Sequence, residues 1–292
     1  MRELLAHLPN ERVLLGRPGL KTDVDDNVAN HKTPRGNETE KFVKLANIIR
    51  NLASPVLLTT TNYGFLDLVL NLLHSIERLS MQLTILVICE DKTAYVELLK
   101  RQSNFSVKFH LTLTHLQESV AKAVDYKSQP YISIVQKRVS YVELLLQRGL
   151  DVFFVDSDVV LLENPLEYFI DDKYDVFVQS DTANKDNLCA GFFYLRANDK
   201  TERFVRTWRH DLVKDPRGSQ FTFNRQLRMF RPKMKVKVLP MDRFMSGQVF
   251  LKLEKPWFES SPLPVEVHAN FMIGRGEKAD MLKKHELWFV KD

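Results

Sequence analysis

A predominantly parallel α/β sheet covered by helices is predicted by three observations. Between Pro55 and Val155, short apolar runs alternate with amphipathic stretches of helical period. The runs are apolar throughout, the pattern of strands covered on both faces. After Asp158 the regular winding gives way to shorter, mixed elements. The chain therefore divides into a linker or stem over residues 1–37 and a domain over 38–292. Within that domain, 55–165 forms a nucleotide-binding half and 166–292 an acceptor half.

The linker reading rests on Gly16-Arg-Pro-Gly and Lys32-Thr-Pro-Arg-Gly, which break both periodicities. From Glu38, the apolar residues Phe42, Leu45, Ala46 and Ile49 recur at helical spacing. Pro55–Thr61 reads as a first strand, Phe65–Leu79 as a helix and Leu83–Cys89 as a second strand. A helix near Thr93–Arg101 and a strand over Val107–Thr112 follow. Tyr131–Arg148 is a long helix stopped by Gly149, and Val152–Val155 is the next strand. In the second half, Tyr174–Gln179, Gly191–Leu195, Val236–Pro240 and Pro264–His268 read as strands. Lys200–Val213, Gln220–Met229 and Glu277–Lys284 read as helices.

A chain of 292 residues is long enough to bury a large core, and 44% hydrophobic with 27% charged residues fits an ordinary globular composition. A net charge of +5 without a dense basic block does not imply nucleic acid as a partner, although it favours anionic ligands. Two cysteines, Cys89 and Cys189, exclude a disulfide scaffold and four-cysteine zinc sites. Cys89 follows an apolar strand and reads as a buried small residue. No apolar run reaches the length of a membrane span.

The most informative stretch is Asp151-Val-Phe-Phe-Val-Asp-Ser-Asp, where an apolar strand delivers Asp156 and Asp158 to its end. If the chain stays extended, alternation puts both carboxylates on one side and Ser157 on the other. In open α/β sheets this is where ligands bind. Two hard oxygen ligands suit a divalent cation holding a phosphate-bearing substrate. As a surface carboxylate at a strand end, Asp158 is expected to contribute little to the core.

The order of motifs resembles the nucleotide-diphospho-sugar glycosyltransferases of the GT-A fold, and most closely glycosyltransferase family 77. The resemblance runs from about Pro55 to Trp288. It is carried by Leu58-Thr-Thr-Thr-Asn62, by the helix, Asp-x-Asp strand and Asn-Pro-Leu sequence of Leu145–Leu166, and by Gln179-Ser-Asp181. Cys189-Ala-Gly-Phe-Phe-Tyr194, the His268–Lys278 segment and a closing Leu287-Trp288 complete it. Each piece alone is common; their order is specific.

The resemblance implies a GT-A-like three-layer α/β/α sandwich with a mixed C-terminal acceptor half. The activity it implies is metal-dependent transfer of a sugar from a UDP-linked nucleotide-sugar donor to an acceptor hydroxyl on a glycan or glycoprotein, with retention. It further implies Mn2+ (or Mg2+) held by Asp156, Asp158 and His268, an imidazole beside carboxylates suiting manganese better than calcium. Thr60 would touch the nucleoside, and Asp156 the ribose or the ion. Arg138, Gly274 and Lys278 would meet the phosphates, and Asp181 and Gln220 would lie near the sugar. An anchored protein of this kind would work in the Golgi lumen; a chain complete as given would be cytoplasmic. One departure stands out: where the family usually has Asp-Gln, this chain has Ser219-Gln220.

The residues also admit other readings. A lone histidine or helix lysine is ordinarily structural, and strand threonines reflect β propensity. A phosphatase with Asp156 as nucleophile uses a similar carboxylate pair, but its acidic strand opens the domain, whereas about three βα units precede this one. A domain that binds a nucleotide sugar without transferring it is the other alternative, prompted by Ser219.

Overall fold

The computed structural model describes residues 45, 47–113, 129–184, 186–215 and 217–291. The expected linker over 1–37 lies outside them. Of the helix expected from Glu38, the described residues 45 and 47–50 are helical, and Leu45, Ile49 and Leu52 reach the core.

Seven strands form the central sheet in the order β3-β2-β1-β4-β7-β6-β8. They are β1 (Val56–Thr61), β2 (Thr84–Cys89), β3 (Phe109–Leu113), β4 (Val152–Val155), β6 (Val176–Ser180), β7 (Leu188–Leu195) and β8 (Val236–Val238). β7 runs antiparallel to both its neighbours, and every other pairing is parallel. The helices are α1 (Leu66–Arg78), α2 (Lys92–Arg101), α3 (Gln129–Leu146), α4 (Asp199–Lys214), α5 (Ser219–Phe230), α6 (Gly247–Phe250) and α7 (Gly274–Lys284).

Alternation along the strands divides the core into two layers. Leu58, Leu86, Phe154 and Phe193 face a cluster with Leu145 of α3, Phe204 and Trp208 of α4, and Phe223 of α5. Leu57, Val87, Phe153 and Phe192 face the other way, against Val69, Leu73 and Ile76 of α1 and Leu98 of α2. The sheet is therefore covered on both faces, which explains its uniformly apolar strands. Phe193 stacks between Phe154 and Phe223, with ring centroids 5.2 and 5.4 Å away.

A second sheet was not expected from the sequence. It has three strands in the order β5-β10-β9, formed by Val159–Leu161, Glu266–His268 and Phe244–Ser246. β10 pairs antiparallel with β5, placing His268 opposite Val159, and parallel with β9, placing His268 beside Ser246. Val160, Met245 and Val267 form its outer core with Met281 and Leu282 of α7. The opposite face carries Glu266 and His268, both buried.

Candidate active site

The order of the sheet reverses at β1 and β4, whose carboxyl ends open side by side onto a cleft of about 980 Å³. Thr60, Thr61 and Asn62 line it from the β1 side, and Asp156 and Asp158 from the β4 side. Asp91 fixes this edge. It caps α2 by accepting from the Ala94 N–H at 2.9 Å, and it accepts from the Tyr63 N–H at 2.7 Å.

The acidic pair is not extended. The Val159 N–H donates to the Asp156 carbonyl at 3.3 Å, so Asp156-Ser157-Asp158 is a tight turn that passes the chain from β4 to β5. Both carboxylates nevertheless converge, because the small sheet brings His268 back to them. His268 Nε2 lies 3.4 Å from Asp158 Oδ1 and 3.9 Å from Asp156 Oδ2. Ligand atoms of the three residues lie within 4.8 Å of one another. Donors in cis positions on an octahedral ion with bonds of about 2.1 Å are about 3 Å apart, so the set needs little adjustment to grip one. Gly191 keeps the space open: a Cβ there would sit 2.1 Å from Asp156 Oδ2 and 2.9 Å from His268 Cε1.

Asp158 is not a peripheral carboxylate. It is 7% exposed and bonded to the Lys278 ammonium, which also donates to the Ala269 carbonyl at 2.9 Å. Burial disfavours its charge, but Lys278 and His268 outweigh that and hold its pKa far below the usual carboxylate range. Burial likewise disfavours a charged His268, yet Asp158 and Asp156 raise its pKa overall. The expectation that Asp158 contributes little to the fold is thus corrected: it is buried, pairs with the Lys278 ammonium and faces the buried His268 ring.

Arg138 of α3 donates from Nη1 to Asp156 Oδ1 at 2.8 Å and from Nη2 to Ser219 Oγ at 3.3 Å. Ser219 therefore stands at the guanidinium. Asp181, 2% exposed, accepts from Gln220 Nε2 and, at 2.9 Å, from Asn270 Nδ2. Asn270 in turn accepts from the Gly247 N–H at 2.7 Å. Gly274, with φ of 74°, opens α7 at the cleft, and Lys278 follows one turn later. All nine predicted site residues thus line one cleft: Thr60, Arg138, Asp156, Asp158, Asp181, Gln220, His268, Gly274 and Lys278.

The sequence assigned Glu266 no role beyond its place in a strand. It is fully buried and accepts from Gln179 Nε2, whose Oε1 lies 3.1 Å from His268 Nδ1. Burial, followed by Asp158 and Asp181, pushes the Glu266 carboxyl pKa well up. Asn270 was also missed, although it belongs to the His268–Lys278 motif. Cys89 and Cys189 are both buried and form no disulfide, and burial raises both thiols.

Residues 81–282 match the family model described as nucleotide-diphospho-sugar transferase. The chain belongs to that family, and it is a glycosyltransferase by class. It is 26% identical over 262 residues to UDP-D-xylose:L-fucose alpha-1,3-D-xylosyltransferase 3 of Arabidopsis thaliana, covering 81% of this chain and 67% of that one. It is 23% identical over 278 residues to UDP-galactose:fucoside alpha-3-galactosyltransferase of Dictyostelium discoideum, covering 79% of this chain but 42% of the relative. Among solved structures, the glycosyltransferase GlyE of Streptococcus pneumoniae superposes with a TM-score of 0.53 at 14% identity. That match covers 82% of this chain and 61% of GlyE, and it supports the GT-A fold alone.

Proposed function

We propose that this protein transfers a sugar from a uridine-diphosphate donor to a hydroxyl of a glycan or glycoprotein acceptor, with Mn2+ (or Mg2+) and with retention of configuration. The observation that carries this reading is the convergence of Asp156, Asp158 and His268 at the sheet's switch point, with Lys278 against them. The names of the Arabidopsis and Dictyostelium relatives support the donor class and an α-linked product. Nucleotide sugars of this kind carry an α-linked diphosphate, so an α product is net retention.

The chain's residues divide the work by position. Asp156, Asp158 and His268 would hold the cation, which when bound neutralises charge on the departing diphosphate. Lys278 adds an ammonium at the first turns of α7, where backbone N–H groups and the helix dipole also favour an anion. Gly274 lets that helix begin at the cleft with a left-handed residue. Thr60 borders the nucleoside side of the cleft. Arg138 orients Asp156 and reaches towards the phosphates, while Asp181 and Gln220 form the sugar side. Withdrawal of Gln220 and Asn270 into bonds with Asp181 keeps this carboxylate aimed and partly screened, ready to accept from sugar hydroxyls.

The test is incubation with a panel of nucleotide sugars, with and without fucoside acceptors, following free sugar and product. Manganese-dependent turnover of a UDP-sugar that chelator abolishes is expected. Tight UDP binding with no release of sugar from any donor would instead establish a binding domain that has lost transfer.

A further inference from the structure

Gln179 is held between two side chains that lie 87 and 89 residues further along the chain. Its Oε1 lies 3.1 Å from His268 Nδ1, and its Nε2 donates to Glu266 Oε1. Gln179 and Glu266 are fully buried, and His268 is 2% exposed. Glu266 and His268 stand two residues apart on β10 and so share a face, while Gln179 reaches them from β6 of the large sheet. The other ring nitrogen, Nε2, faces Asp158 and Asp156.

We propose that Gln179 is a positioning residue for cation binding: anchored by Glu266, it presents its carbonyl to His268 Nδ1–H and so leaves the Nε2 lone pair facing the two carboxylates. This rests on the cation role assigned above. An imidazole has one proton to place when neutral, and a metal can be accepted only at the bare nitrogen. Near Asp156 and Asp158 alone, Nε2 would do better carrying the proton and donating it to a carboxylate. The Gln179 carbonyl shifts that preference towards Nδ1–H. Glu266 matters because an amide has two ends. By accepting from Nε2, it turns the oxygen, rather than the nitrogen, towards the histidine. The reversed amide would offer N–H groups to Nδ1 and leave Nε2–H blocking the cation. Groups behind a ligating histidine commonly tune affinity in this way.

The experiment measures Mn2+ affinity of the full chain by electron paramagnetic resonance of free manganese, with folding followed by near-ultraviolet circular dichroism. Wild type and Asp158→Asn come first: saturable binding in the former and its loss in the latter establish the site, independently of Gln179. Gln179→Met, similar in length but with only a weakly accepting thioether, should then bind Mn2+ about 10–100-fold more weakly. Its turnover at saturating manganese should fall far less, a split that a general loosening of the core would not produce. The exchange variant Gln179→Glu with Glu266→Gln keeps volume, donor and acceptor, and it should bind within about threefold of wild type. Unchanged affinity in a folded Gln179→Met overturns the proposal. So does a folded exchange variant that binds about tenfold or more weakly than wild type, and this second arm decides the matter if Gln179→Met does not fold.

Discussion

The two sheets obey different rules. The seven-stranded sheet packs apolar side chains into a core on each face, and β4 passes Phe153 to one helical layer and Phe154 to the other. In the three-stranded sheet, one face is apolar through Val160, Met245 and Val267, while the other buries Glu266 and His268. The large sheet fixes where the cleft opens. The small one closes it, by returning a histidine from more than a hundred residues downstream to the turn after β4. Stability is therefore concentrated where the chain is aromatic, and chemistry where polar groups are buried in mutual contact.

That contrast can be broken at either end. Phe193→Ala, deep among Phe154, Phe223 and Trp208, should cost about 3–5 kcal/mol in urea unfolding. A loss below about 1 kcal/mol would mean that the aromatic layer is not the core. Asp158→Asn should lower turnover by about 10²–10³-fold, the scale seen when one preorganised electrostatic group is lost. It should also weaken the protein by about 3 kcal/mol without metal, since Lys278 and His268 lose their carboxylate. Equal stability would return Asp158 to the role of a peripheral acid. Gly191→Ala drives a methyl into Asp156 and should weaken Mn2+ binding by about tenfold or more in a calorimetric titration. The apolar sheet should barely register it, so a large drop in unfolding free energy with intact binding would contradict this division.

A smaller effect separates the same regions by pH. The His268 pKa is raised above the ordinary imidazole value of 6.5, so its contribution to stability is fully present below that value and is lost as pH rises through the raised one. Metal affinity should move oppositely, growing over the same interval as the proton leaves Nε2. Opposed slopes, from thermal unfolding of metal-free protein and from Mn2+ titration, are expected above pH 6.5. Parallel slopes would remove His268 from the site.

What could be read in the sequence follows the same division. The parallel strands were legible because short, wholly apolar runs of β-branched and aromatic residues such as Val152–Val155 suit strands covered on both faces, and the helices because α1 and α3 hold apolar faces over several turns. Strands β5 and β9 were not, because they are fixed by non-local pairing with β10. His268 was found only through the ordered motifs around it. Glu266 was hidden because an acid between Val265 and Val267 looks solvent-facing; its burial depends on Gln179, 87 residues earlier. The turn at Asp156-Ser157-Asp158 was missed for the same reason, since it exists to cross between sheets.

The most direct test of the central claim is Mn2+ titration of wild type beside His268→Ala, read by electron paramagnetic resonance. The account predicts one saturable ion per chain in wild type, tightened by UDP, and at least a tenfold loss in the variant. Identical curves for the two proteins, or no saturable binding in wild type, would contradict it.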